Sequence, residues 1–241
     1  MKRIGFDKAI KLEWMDELAF TFEKIDQDKV LSHVRKIIAK EIEGKESQRK
    51  HLTVLKRIWF KIPKSQENLR DRAIKLAVNG ASKERLVVYW GMSLLAFPFF
   101  RDTATIVGNL TRLQNDFTLK QVRQRIVEEW GDRTTIEFAI PRLLKSFLEW
   151  GVLEKETTGK YKASSEIDIG SKNLLLWLIE CYFYSIEEKI IYLEKLNKIP
   201  SLFPFSYQVT AGDLFGTGIF EVNRQGLGND VVEIKRKITE K

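Results

Sequence analysis

Apolar residues recur at spacings of three and four along most of the first hundred positions, the period of helices with one buried face. Over residues 8–22 they are Ala9, Leu12, Met15, Leu18, Ala19 and Phe22. Over residues 28–43 they are Val30, Leu31, Val34, Ile37, Ile38 and Ile42, with Gly44 placed as a C-cap. Residues 45–63 differ: Leu52, Val54, Leu55, Ile58, Trp59, Phe60 and Ile62 settle on neither the helical nor the strand period. A further helix is predicted from Pro63 to Ala77, before the turn signal Asn79-Gly80. Ser82-Lys83-Glu84-Arg85 then opens an apolar helix that Pro98 ends or kinks.

Residues 103–163 carry the most specific pattern. A helix over 103–114 turns Ala104, Val107, Leu110 and Leu113 inward, and Asn115-Asp116 makes the turn. Thr118 with Gln121 forms a capping box that opens a second helix running to Trp130, burying Leu119, Val122, Ile126 and Trp130. After the tight turn Gly131-Asp132-Arg133, Thr134 with Glu137 reads as a second capping box, so the next helix starts near Thr135. Its buried face is Ile136, Ala139, Ile140, Leu143, Leu144 and Phe147; the opposite face offers Thr134, Thr135, Phe138, Arg142, Lys145 and Ser146. Pro141 falls inside this helix and predicts a bend or a split into two pieces. Val152-Leu153-Glu154-Lys155 then pairs with Lys160-Tyr161-Lys162-Ala163 across Thr157-Thr158-Gly159, with Lys155, Lys160 and Lys162 near the tip and Tyr161 on the core. Helix, helix, turn, helix and two-stranded hairpin is the layout of a winged helix-turn-helix, whose second paired helix enters a DNA major groove.

Residues 171–196 predict one or two helices, which Ile199-Pro200 and Phe203-Pro204-Phe205 terminate. From Tyr207 to Ile234 five glycines punctuate short strands, 219–222 and 231–234 being the clearest. The expected fold is mainly α: a helical bundle over 1–100, a central winged helix-turn-helix over 101–168 and a small α+β extension over 169–241.

Charge changes this picture. The 241-residue chain is 31% charged and 44% hydrophobic, as ordinary globular proteins are. A formal charge of +8 favours a polyanionic partner, nucleic acid or an anionic membrane surface. Yet residues 103–168 hold ten basic and ten acidic residues, whereas residues 29–75 hold fourteen Lys and Arg against five acids. For duplex DNA, residues at the start of the recognition helix reach base edges, which selects Arg133, Thr134, Thr135 and Phe138. Arg142, Lys145, Lys120, Arg123, Lys160 and Lys162 suit phosphates, and the basic segment adds Arg49, Lys50, Lys56 and Arg57 for salt-dependent contacts.

Other chemistries find little support. A single cysteine, Cys181 within an apolar run, excludes an internal disulfide and a cysteine zinc cluster. Two histidines, His33 and His51, on separate segments give a triad or zinc site little to work with. There is no phosphate loop and no dinucleotide fingerprint, and no spacing singles out a carboxylate nuclease. Residues 86–100 are uncharged, but Arg85 and Arg101 bound them at 15 residues, short of the roughly 20 that a span needs. The N-terminus lacks the apolar stretch of a signal peptide, so a cytoplasmic, non-enzymatic protein without cofactor is expected.

With these elements in place, the chain resembles the BrxA-type small proteins of bacterial BREX phage-defence operons. The likeness is carried by the helical N-terminal half, by Phe117-Thr118-Leu119-Lys120 through Trp150-Gly151-Val152-Leu153, and by Val222-Asn223-Arg224-Gln225-Gly226-Leu227. It rests on no catalytic motif. The resemblance implies a small DNA-binding component of a multi-protein defence system, with other defence proteins as partners. A scaffold or transcriptional regulator that docks a protein through the winged helix is the alternative.

Overall fold

Beyond its polar first turn, helix α5 (Ser82–Ala96) is apolar on every side, and the fold wraps it accordingly: Leu86 through Leu94 are all buried. The computed structural model describes residues 3–25, 27–157, 159–225 and 229–235. Around α5 lie α1 (Leu12–Phe22), α3 (Lys45–Trp59), α4 (Glu67–Asn79), α6 (Pro98–Leu113) and α9 (Lys172–Ser185), while α2 (Gln27–Glu41) covers α1 and α3. Trp90 is fully buried, donates from Nε1 to the Ser201 carbonyl at 2.8 Å, and stacks on Phe147 at 4.9 Å. Gly91 lets α9 approach, since a Cβ there would meet the Trp177 ring at 2.6 Å. Residues 86–100 are thus core, and among the described residues no helix is long and apolar enough to cross a membrane.

α6 leads through a turn to α7 (Leu119–Trp130) and α8 (Thr134–Glu149), then to the antiparallel hairpin β1 (Leu153–Lys155) and β2 (Tyr161–Ala163). Leu153 pairs with Ala163 and Lys155 with Tyr161, and a bridge from Phe117 to Tyr161 fastens the hairpin to the start of α7. The remaining strands are short: β3 (Ile167–Asp168) lies parallel to β5 (Phe205–Ser206), and β4 (Ile190–Tyr192), β7 (Asn229–Ile234) and β6 (Phe220–Gln225) form an antiparallel sheet in that order. Single-turn helices α10 (Leu193–Leu196) and α11 (Ala211–Leu214) complete a mainly helical chain whose larger sheet lies near the C-terminus. Thr158, Gly226, Leu227 and Gly228, used in the sequence reading, lie outside the described residues.

Several local expectations are corrected. Residues 8–11 are extended rather than helical, because distant partners claim their backbone: Ile10 donates to Ser146 Oγ at 2.9 Å and accepts from Trp150 Nε1 at 2.8 Å. Ser146, assigned to the outer face, is therefore buried. Gly44 precedes α3 as its N-cap, at φ +82°, instead of closing α2. Residues 45–59, which settled on no period, form α3, burying His51, Val54, Leu55, Ile58 and Trp59. The helix expected from Pro63 begins as a 3-10 turn, Lys64–Gln66, ahead of α4. Pro98 starts α6 at a position where its missing N–H costs nothing, and Leu113 near the other end is 80% exposed. Pro141 does not divide α8, which runs unbroken from Thr134 to Glu149.

Candidate nucleic-acid interface

The turn between α7 and α8 is built from local chemistry. Thr118 accepts from the Gln121 amide at 3.3 Å and its own N–H reaches Gln121 Oε1 at 2.7 Å, so the first capping box forms. The second does not. Arg133 is the N-cap of α8 without a side-chain cap, and the Glu137 carboxylate turns to the Arg123 guanidinium of α7. Gly131, at φ +76°, supplies the reversal.

α8 buries Ile136, Ala139, Ile140, Leu143, Leu144 and Phe147 and leaves Thr134, Thr135, Phe138 and Lys145 exposed. Phe138 is 56% exposed, an unusual solvent exposure for a phenyl ring, and the Arg142 guanidinium lies 5.9 Å from its centroid. Arg142 is only half-exposed because its Nη1 donates to the Asp7 carbonyl at 3.0 Å. Arg133 sits 5.6 Å over the Trp130 ring.

The hairpin and α7 carry cations with neighbours of opposite sign. Lys160 pairs with Asp116 and Lys162 with Glu154, each at 3.1 Å, and the Glu154 bond raises the Lys162 pKa. Lys155 faces the Tyr161 ring at 5.6 Å, and Arg123 is taken by Glu137. Lys120 is exposed on α7.

The other flank of α8 differs. The extended segment 3–11 lies between α8 and α3 and closes a groove of about 450 Å³. Its lining includes Arg3, Asp7, Arg49, Lys50, Arg133 and Thr135. The structure thus brings together Arg133 at the start of α8 and Arg49 and Lys50 of the basic segment, which the sequence separates by more than 80 residues. Arg49 and Lys50 share Glu46, at 2.7 Å and 3.8 Å. Arg57 approaches the same segment at Gly5, with its guanidinium over the Phe97 ring at 4.8 Å, and burial followed by Arg3 lowers its pKa. Burial lowers the Lys8 pKa, and Arg142 adds to the fall while Asp7 opposes it. Lys56, Lys120 and Lys145 do not line the groove.

Arg3 is the groove cation that sequence reading missed, because nothing in the residues ahead of the first helical pattern marks it as part of a surface. Among the described residues, no group of three or more His, Cys, Asp or Glu is placed to hold a metal ion. No family model, curated protein or solved structure matches this chain.

Proposed function

We propose that residues 103–163 form a winged helix-turn-helix and that the protein is a non-enzymatic binder of duplex DNA. The observation that carries this reading is the groove in which Arg3, Arg49, Lys50 and Arg133 stand beside Thr135 at the start of α8. A recognition helix needs base-reading side chains at its N-terminal end and phosphate contacts beside them to fix register. Arg133, Thr134, Thr135 and Phe138 supply the first, and Arg3, Arg49 and Lys50 the second. The wing lysines contribute less, since Lys160 and Lys162 each have a carboxylate of their own, Asp116 and Glu154, whereas Arg49 and Lys50 share one. A place in a BREX-type defence assembly rests on the family resemblance of the sequence.

Fluorescence anisotropy with duplex, single-stranded and RNA probes of one sequence tests the reading. Duplex DNA should bind tightest, and Arg133→Ala with Thr135→Ala should change preference among duplex sequences. Equal binding of all three probes, or an unchanged preference, would refute a groove-reading α8. The exposed Phe138 favours a second reading, a protein docked on α8. That reading predicts that Phe138→Ala abolishes co-purification of one partner while DNA affinity is retained.

A further inference from the structure

Elsewhere on the molecule, α4, α9 and the loop entering β6 line a half-open cavity of about 660 Å³, within the roughly 300–1,000 Å³ of small-molecule sites. Its walls are pinned. Trp177 of α9 donates from Nε1 to the Leu69 carbonyl at 3.0 Å, and Arg72 of α4 donates to Glu180, a carboxylate only 8% exposed. Among the described residues three cations line the cavity: Arg72, Lys64 before α4, and Lys235 after β7. Glu180, its one carboxylate among the described residues, is already committed to Arg72. The Arg72 Nε is out of contact with solvent and has no hydrogen-bond partner among the described residues. That nitrogen is closed to the cavity as well, so what Arg72 offers a ligand there is its charge. Leu69, Ile219 and the Tyr184 ring supply the apolar remainder.

We propose that this cavity binds a phosphorylated small molecule of mononucleotide size. Its phosphate lies against Lys64, Lys235 and Arg72, because guanidinium and ammonium groups together suit a dianionic phosphate. Its flat or apolar body lies against Leu69, Ile219 and Tyr184. A duplex does not fit a concave site of this size, and no residue is shared with the groove beside α8. The assignment therefore stands or falls independently of DNA binding. Because the ligand bridges the helical layer and the strand end at Lys235, it stabilises the folded chain by mass action.

Thermal-shift and calorimetric titrations of the whole chain test this with AMP, GMP, CMP and UMP, using adenosine and inorganic phosphate as controls. At least one nucleotide should raise the unfolding midpoint and bind one to one, more than about tenfold tighter than phosphate or adenosine. Lys64→Glu with Lys235→Glu, both exposed, should weaken that binding at least about tenfold while leaving the unliganded midpoint unchanged. Lys64→Ala alone should give an intermediate loss, and Arg49→Ala with Lys50→Ala should leave nucleotide binding intact. Absence of binding across the panel overturns the proposal. So does binding that survives the lysine reversals, or binding lost in the Arg49 and Lys50 variant, which would move the nucleotide to the groove beside α8.

Discussion

Replacing Arg49 and Lys50 together by alanine tests the groove quantitatively. Both side chains are exposed on α3, so the thermal unfolding midpoint should stay where it is and any change in binding is electrostatic. Among the described residues four cations line the groove: Arg3, Arg49, Lys50 and Arg133. If each neutralises one phosphate, log K should fall with log salt at a slope of about −3.6, at roughly 0.9 per phosphate. A fourfold rise in salt, about 50 to 200 mM, then weakens the parent by about 150-fold. With two contacts removed the slope drops to about −1.8, and the same rise weakens the variant only about 12-fold. Fluorescence anisotropy on a labelled duplex at three or more salt concentrations reads both slopes. Equal slopes in parent and variant would refute the assignment of phosphate contact to α3, even if absolute affinity fell.

Glu46→Gln makes the complementary test: it releases Arg49 and Lys50 from their shared carboxylate, so duplex affinity should rise in the same assay. Gly108→Ala should damage the core, because a Cβ there would lie 2.1 Å from the Pro200 carbonyl oxygen and 3.0 Å from the Phe203 Cβ. Such overpacking costs about 3 kcal/mol, a fall in midpoint of roughly 6–12 °C for a chain of this size, readable by calorimetry. His51 is buried against Trp14, its ring nitrogen bonded to the Ser47 carbonyl at 2.8 Å, and burial holds its pKa below the ordinary 6.5. The unfolded chain then binds the extra proton, so the His51 contribution is present above pH 6.5 and is lost as pH falls. Midpoints between pH 7.5 and 5.5 should decline in the parent and decline less in His51→Gln.

How much of this was legible in the chain depends on how local each cause is. The Thr118–Gln121 capping box, the buried stripe of α8 and the pairing of 153–155 with 161–163 all follow from side chains within a few residues of one another. The Thr134–Glu137 box used the same rule and failed, because Arg123, on another helix, offered Glu137 a charged partner. Residues 8–11 matched a helical spacing, yet Ser146 and Trp150 take the Ile10 backbone from 136 and 140 residues away. α3 hid its period for two reasons. His51 takes a core position normally held by an apolar residue, and Phe60 and Ile62, counted with the helix, lie beyond its end.

The same distinction governs the candidate interface. A central module with ten positive and ten negative residues can attract a polyanion only by sorting them onto different faces, and composition cannot report sorting. In the folded chain Asp116, Glu137 and Glu154 gather around Lys160, Arg123 and Lys162 on the hairpin and α7. The flank facing α3 receives Arg133 together with cations from outside the module, Arg3, Arg49 and Lys50. A groove-reading helix with its phosphate contacts on one side should sit asymmetrically on a duplex. Hydroxyl-radical footprinting should therefore show protection extending from the α8 contact toward the α3 side, with little on the wing side. Symmetric protection about the α8 contact would place phosphate binding on the hairpin lysines instead, and would mean that their partner carboxylates yield to DNA.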